Sequence, residues 1–375
     1  MDLSTIPIVD HHAHPLLPPE ATDDAEGFRR WFTESTDPGI HAYHVQHTLF
    51  FRTAVRWLAA LLDCVPTLDA VLDARREQDH SVWVQRLFRD ANFSMVLCDY
   101  GYQGERAYKH AQMQALLPCP MRPILRLETL AEALILEHDT YEAMLESFLF
   151  QVSRAQAEGY VALKSIVAYR SGLDVRPVSP ADAAAAFAGV KMQAGPSGHI
   201  RLASKPLCDA LLWHALQIAG EQALPVQFHT GFGDRDADLR LANPLHLRAV
   251  IEQVQAPIVL LHAGWPFYRE AAHLASIYGH VWLDLSLAIP FATSGIPTML
   301  EDVLGMAPLS KLMFATDAFT MPEIYWLAAR WGRWGLGRAL ETLVDARFLT
   351  EEEAWKSARG ILGDNARGLY GLGRG

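Results

Sequence analysis

Eight short apolar segments constrain the fold of this chain more than any other feature of its 375 residues. Each is rich in Val, Ile, Leu and Phe and is followed by a polar or glycine-containing stretch. Continuous apolar runs of this kind are typical of strands buried on both faces, as in a parallel sheet covered by helices. In chain order the segments are IPIVDHHAH, SMVLCDYG, MRPILRLET, GYVALKSIV, LPVQFHTG, APIVLLHAG, HVWLDLSLA and SKLMFATDA.

Helical patterns separate the later strands, for example CDALLWHALQIAGEQA and PFYREAAHLASIYG. Strands that alternate with helices indicate βαβ units, and eight such strands predict an α/β fold of the (β/α)8 TIM-barrel type. An open, doubly wound sheet remains an alternative, because periodicity does not reveal whether a sheet closes on itself.

A long segment, residues 24–92, separates the first two predicted strands and has mostly helical patterns, such as HTLFFRTAVRWLAALLDCV. We interpret it as a helical insertion after strand 1 and as a candidate lid over the barrel mouth. No repeat and no linker-like stretch interrupts the chain, so residues 1–375 are predicted to form one domain with this insertion.

The composition narrows the class of protein. The formal net charge of −11 comes without a basic stripe, which argues against a nucleic-acid partner. The four cysteines form no CxxC pair, so neither a disulfide framework nor a zinc knuckle is predicted. No apolar run of about 18 residues and no signal-peptide pattern is present. We therefore expect a cytoplasmic enzyme with a small-molecule substrate, and the sequence leaves homo-oligomer formation open.

The motif Asp10-His11-His12-Ala13-His14 ends the first predicted strand. Side chains alternate between the two faces of a strand, so Asp10, His12 and His14 are expected on the same face. Two imidazoles on one face can bind a single cation, although a polar strand end with exposed histidines would have the same sequence.

Three further residues of metal-binding types end later strands: His229 in LPVQFHTG, His262 in APIVLLHAG and Asp317 in SKLMFATDA. The C-terminal ends of barrel strands converge on one mouth, so these residues are expected to meet His12 and His14 there. Imidazole and carboxylate are suitable ligands for zinc. The five residues together predict a metal site.

Lys164 lies on the fourth predicted strand, in GYVALKSIV. A lysine inside a barrel is costly unless it is paired or chemically modified. Three interpretations remain open: a carboxylated lysine that bridges two metals, a cation that binds a substrate carboxylate, and a buried ion pair.

In its order of HxH, Lys, His, His and Asp, the chain resembles the amidohydrolase superfamily. Longer stretches, including FHTGFGDRDADLRLANPLHL, HAGWPFYREAAHLAS and ILGDNARGLY, resemble the amidohydrolase-like domain that is fused to a glutamine-synthetase-like domain in fungal developmental and plant nodulin-type proteins. The sequence ends after the predicted barrel, so the chemistry of the synthetase-like half is not expected here. The resemblance implies one or two divalent ions, Zn²⁺ above all, with the ligands His12, His14, Lys164, His229, His262 and Asp317.

The resemblance also implies that Asp317 acts as the catalytic acid and base, and that His262 takes part in catalysis in branches with a single ion. The predicted reaction is hydrolysis of an amide or related C–N bond, with lactones and esters left open. A metal-dependent decarboxylase, a sugar-acid isomerase and a non-catalytic scaffold are the alternatives. Arg170 could clamp a substrate carboxylate and Trp265 could contact the substrate, although a helix cap or a surface ion pair would explain each equally well.

Overall fold

Eight parallel strands form the centre of the protein in the computed structural model, which describes residues 1–102, 106–193 and 198–373. The strands coincide with the eight apolar segments. Their bounds are β1 (Ile8–Ala13), β2 (Phe93–Asp99), β3 (Met121–Arg126), β4 (Ala162–Ser165), β5 (Val226–Phe228), β6 (Ile258–Leu260), β7 (Val281–Asp284) and β8 (Leu312–Met313).

The strands are arranged in sequence order from β1 to β8, each parallel to the next. The segment that follows β8 returns to β1, since the amide of Asp317 donates to the carbonyl of His12 at 3.0 Å. A parallel bridge between Leu16 and Thr320 continues this contact. The sheet is therefore a nearly closed barrel, and the alternative of an open, doubly wound sheet is wrong.

Helices surround the barrel. They are α1 (Ala25–Arg29), α2 (Leu49–Leu62), α3 (Leu68–Arg76), α4 (His80–Asp90), α5 (His110–Leu116), α6 (Leu127–Glu137), α7 (Tyr141–Arg154), α8 (Pro180–Gln193), α9 (Lys205–Gln222), α10 (Arg248–Ile251), α11 (Tyr268–Ile277), α12 (Ala288–Ala292), α13 (Ile296–Met306), α14 (Pro322–Asp345), α15 (Glu351–Arg359) and α16 (Asn365–Leu369). Short polar side chains begin several of them; Thr350, for example, caps α15 in a capping box with Glu353.

The chain between β1 and β2 contains α1 to α4. One buried carboxylate attaches this segment to α14: Glu323 accepts hydrogen bonds from Nε of Arg75 on α3 and from Nε1 of Trp83 on α4, both at 2.6 Å. Glu323 is fully buried, and both donors reach its Oε1, so they replace part of the hydration that its charge would otherwise require. The role of this segment as a movable lid stays a prediction.

Among the described residues, no helix has both the length and the apolar character that a membrane crossing would demand.

Candidate metal centre

Six polar residues meet at the C-terminal end of the barrel, and each is at most 8% exposed. Strand positions explain the convergence, because each residue lies at or just after the C-terminal end of a strand in the parallel barrel. They are His12 and His14 from β1, Lys164 from β4, His229 after β5, His262 after β6 and Asp317 after β8.

The two β1 histidines have defined tautomers. The amide of Gln227 uses Nε2 to donate to the carbonyl of His11 and to the hydroxyl of Tyr370, so its Oε1 accepts from Nδ1 of His12 at 2.7 Å. Nδ1 of His14 lies 3.0 Å from the backbone carbonyl of Asp99, which can only accept. Both rings therefore carry their proton on Nδ1, and each Nε2 presents a lone pair.

Both lone pairs face the same carboxylate oxygen. Oδ1 of Asp317 lies 3.0 Å from Nε2 of His12 and 3.3 Å from Nε2 of His14. This oxygen is buried and accepts no hydrogen bond from the described residues. The three acceptor atoms lie within 4.8 Å of one another, an arrangement that repels unless a cation lies between them. The donor set thus fits a divalent metal ion.

His229 and His262 form a second pair of facing nitrogens. Nε2 of His229 donates to the carbonyl of Phe232 at 3.1 Å, which leaves a lone pair on Nδ1. The hydroxyl of Ser286 donates to Asp284, so its oxygen accepts from Nδ1 of His262 at 2.9 Å. Nδ1 of His229 and Nε2 of His262 then face each other at 2.9 Å, both without a proton.

An extra proton between these two rings is disfavoured. Burial lowers the pKa of both His229 and His262 well below the ordinary value for histidine, and the nearby positive charge of Lys164 adds to the effect. A second cation would satisfy both lone pairs without protonating either ring. The pair is therefore chemically suited to a metal ion as well.

Lys164 points into the same cluster, with Nζ 3.2 Å from Nε2 of His12. Burial lowers the pKa of Lys164 to about 8, although the carboxylates of Asp317 and Asp99 act in the opposite direction. An amine with a lowered pKa is more often unprotonated and therefore more nucleophilic. This is the state in which a lysine can react with carbon dioxide, so the carboxylated form stays a prediction.

Backbone geometry brings the later loops together. His262 and Asp317 have φ values of 68° and 51°, in the left-handed region, which turns their side chains at the strand ends. Gly231 has a φ of 74°, and a Cβ at this position would collide with the carbonyl of Trp265. The amide of Phe232 donates to that carbonyl at 2.7 Å, so a glycine at 231 allows the loops after β5 and β6 to touch.

The two predicted substrate contacts have different surroundings. Arg170 borders the barrel cavity, a space of about 260 Å³, and its buried Nε has no partner among the described residues. Its Nη2 lies 3.5 Å from Oε1 of Glu132. Trp265 is 37% exposed, packs edge-on against Phe232, and does not line that cavity where the structure is described. Both assignments stay predictions, and the geometry favours Arg170.

Several residues at the site were not predicted from the sequence. Gln227 has a detectable signal, since it is a polar residue in an apolar strand two positions before His229 and so shares its face. Tyr370, which lies next to α16, and Glu34, in the segment between β1 and β2, have no comparable pattern. Their positions depend on how distant parts of the chain pack.

Replacing Gln227 by Met is expected to lower the affinity for the metal by about 10–100-fold, because His12 would lose the partner that fixes its tautomer. Competition with a chromophoric chelator measures this affinity directly. Gln255→Met, on the exposed surface, is the matched control and should bind metal as the unmodified protein does. Equal affinities for the two variants would contradict the positioning role of Gln227.

A family model described as amidohydrolase matches residues 173–372. The chain is 28% identical to protein fluG of Emericella nidulans over 402 aligned residues, which cover 99% of this chain and 46% of that protein. The chain thus spans less than half the length of this relative.

Solved structures with the same barrel include a candidate metal-dependent hydrolase from Lactobacillus casei ATCC 334, with a TM-score of 0.89 and 31% identity over 98% of this chain and 96% of that one. A uronate isomerase from Thermotoga maritima is similar with a TM-score of 0.67 and 13% identity, over 98% of this chain and 95% of the other. At that level of identity the likeness concerns the fold alone.

Proposed function

Because the chain belongs to the amidohydrolase family, we propose that it is a metal-dependent hydrolase that cleaves an amide or related C–N bond of a small, carboxylate-bearing substrate. One observation carries this proposal: Nε2 of His12, Nε2 of His14 and Oδ1 of Asp317 are all acceptors, and they face one another with no proton between them. We further propose zinc as the ion, because neutral imidazole and carboxylate suit it.

When bound there, a divalent ion would polarise the substrate carbonyl and lower the pKa of a water molecule. His12, His14 and Asp317 would hold the first ion. Lys164, His229 and His262 would hold a second one, and the facing nitrogens of the two histidines support a site with two ions. Carboxylation of Lys164 would give it the oxygen ligands that an amine lacks.

We assign the proton transfer to Asp317. Its Oδ1 faces the β1 histidines, whereas Oδ2 lies 3.6 Å from Nδ1 of His262. A divalent ion held by His12, His14 and Asp317 would keep this carboxylate ionised, so that it can accept a proton. It takes that proton from the attacking water and gives it to the leaving nitrogen. A C–O bond forms, the C–N bond breaks, and the products are a carboxylate and an amine.

Substrate orientation is assigned to Arg170. Its buried Nε has no partner among the described residues, and Arg170 lines a cavity in which Arg126 is already paired with Asp99, at 2.6 Å between Nη2 and Oδ2. A substrate carboxylate would supply the missing acceptor and hold the scissile bond near Asp317.

Elemental analysis of the purified protein, followed by a screen of N-acyl, γ-glutamyl and lactone compounds, tests the proposed function. Bound divalent metal and turnover of at least one C–N substrate are expected, with loss of turnover on chelation and recovery when the metal is restored. Turnover that survives both chelation and His12→Ala would contradict the metal-based reaction. A protein that binds metal but turns over none of the three classes would contradict hydrolysis, leaving decarboxylation and isomerisation as the reactions to assay.

A further inference from the structure

We propose that the entrance of the barrel cavity contains an ammonium-binding subsite formed by Glu34 and Asp234 between aromatic side chains, so that the substrate is a zwitterion. This inference rests on the proposed function and deepens it: the substrate would place a carboxylate at Arg170 and a protonated amine at the entrance.

Two cavities meet at the barrel mouth. The barrel cavity, of about 260 Å³, reaches the candidate metal ligands, and an outer chamber of about 740 Å³ lies above it. Four residues border both spaces and define the junction, which we call the neck: Glu34, Tyr102, Asp234 and Phe319. A substrate that extends from the barrel cavity into the outer chamber passes the neck.

The neck brings two carboxyl groups together with no fixed counter-ion among the described residues. Oε1 of Glu34 is buried and has no hydrogen-bond partner among the described residues. No ion pair within the described part of the chain involves Glu34 or Asp234, although Arg201 nearby pairs with Asp236 at 3.0 Å. A buried carboxylate is costly unless a cation or a donor satisfies it, so the neck lacks what an ammonium group would provide.

Burial makes both carboxyl groups of the neck harder to ionise. Burial, together with the charges of Asp317 and Asp234, raises the pKa of Glu34 to about 8. The pKa of Asp234 is raised mainly by burial as well. A cation placed between them would reverse both effects, because an opposite charge favours the ionised form of a carboxyl group.

Aromatic rings complete the neck. Phe319 packs edge-on against Trp31, with ring centroids 5.9 Å apart, and against Tyr102, at 5.6 Å. The guanidinium of Arg30 lies over the ring of Trp31 at 4.8 Å, so this ring already binds one cation in the outer chamber. Aromatic faces beside carboxylates are a typical environment for ammonium groups.

The outer chamber differs from the neck in charge. Arg29, Arg30 and Arg106 line its wall, together with the exposed Glu26. An attraction for a cation is therefore confined to the neck, one step outside the metal ligands. Because the neck lies at a fixed distance from the metal ligands, the subsite selects substrates whose amine is at the matching distance from the scissile bond.

The test uses two small probes and the metal-loaded protein: n-butylammonium, and 1-butanol as its neutral counterpart. Calorimetry or ligand-observed NMR measures their binding. We expect n-butylammonium to bind more tightly than 1-butanol, and Glu34→Gln to weaken n-butylammonium about tenfold without changing 1-butanol. Asp234→Asn should act in the same direction, and Glu26→Gln, in the outer chamber, is the matched control that should bind as the unmodified protein.

Equal binding of the two probes, or unchanged binding of n-butylammonium to Glu34→Gln, would overturn the ammonium subsite. Circular dichroism and thermal unfolding of each variant show whether a loss reflects unfolding, and Asp234→Asn provides the second readout if Glu34→Gln is unstable. Because the probes are not turned over, a failure of the hydrolase proposal leaves this result intact. A failure of the subsite likewise leaves any measured hydrolysis intact.

Discussion

Asp317→Asn is expected to reduce turnover by about 10²–10⁴-fold, the range that a positioned acid and base contributes. The amide has nearly the same shape as the carboxylate but cannot accept the proton from water. Asn also tolerates the left-handed backbone conformation of this position, where φ is 51°. The hydrogen bond from the backbone N–H of residue 317 to the carbonyl of His12 should therefore persist. The measurement is kcat on a substrate found in the screen, with metal content determined in parallel.

The control for this variant is Asp345→Asn, at the exposed end of α14. It makes the same chemical change far from the barrel mouth and should leave kcat unchanged. An Asp317→Asn protein with full metal content and full activity would show that the proton is carried by another group. A protein that loses its metal as well would assign Asp317 to both binding and proton transfer.

Glu323→Ala is expected to lower the free energy of unfolding by about 3–5 kcal/mol, the cost of removing one partner from a buried ion pair. Arg75 would lose its buried partner and keep the more exposed Asp23, at 3.1 Å, and Trp83 would lose its acceptor. Urea denaturation followed by fluorescence measures the change, provided that the transition is two-state.

Asp345→Ala is the matched control, an acidic residue on the same helix that is exposed. Its effect should stay within about 0.5 kcal/mol, as for most surface substitutions. If Glu323→Ala were no more destabilising than this control, the pair would not hold α3 and α4 against α14.

The strands and the convergence of the candidate ligands could be predicted from the sequence because both depend on local patterns. An apolar run that ends in His229, His262 or Asp317 marks a buried strand and its polar end, and the barrel then brings these ends together. No local pattern indicates which nitrogen of each imidazole carries the proton. For His12 and His262 it depends on Gln227 of β5 and on Ser286, just after β7.

Two further features lay beyond sequence reasoning for different reasons. Trp265 follows His262 closely, but proximity in sequence does not determine direction, because the chain turns through left-handed residues at 262–264. Glu34 lies in a segment where no periodicity relates a side chain to the barrel axis. Its position at the neck follows only from the packing of the segment between β1 and β2 against the barrel mouth.

The closure of the barrel has a consequence for when the protein can acquire its metal. Asp10 on β1 accepts hydrogen bonds from Thr316, 306 positions later in the chain, beside the contact between His12 and Asp317. On a ribosome, which releases the N-terminal part first, His12 and His14 would emerge long before their carboxylate partner. A chain interrupted before β8 would lack Asp317, whose carboxylate faces both β1 histidines. Full-length molecules are therefore expected to bind the metal more tightly than molecules truncated before β8.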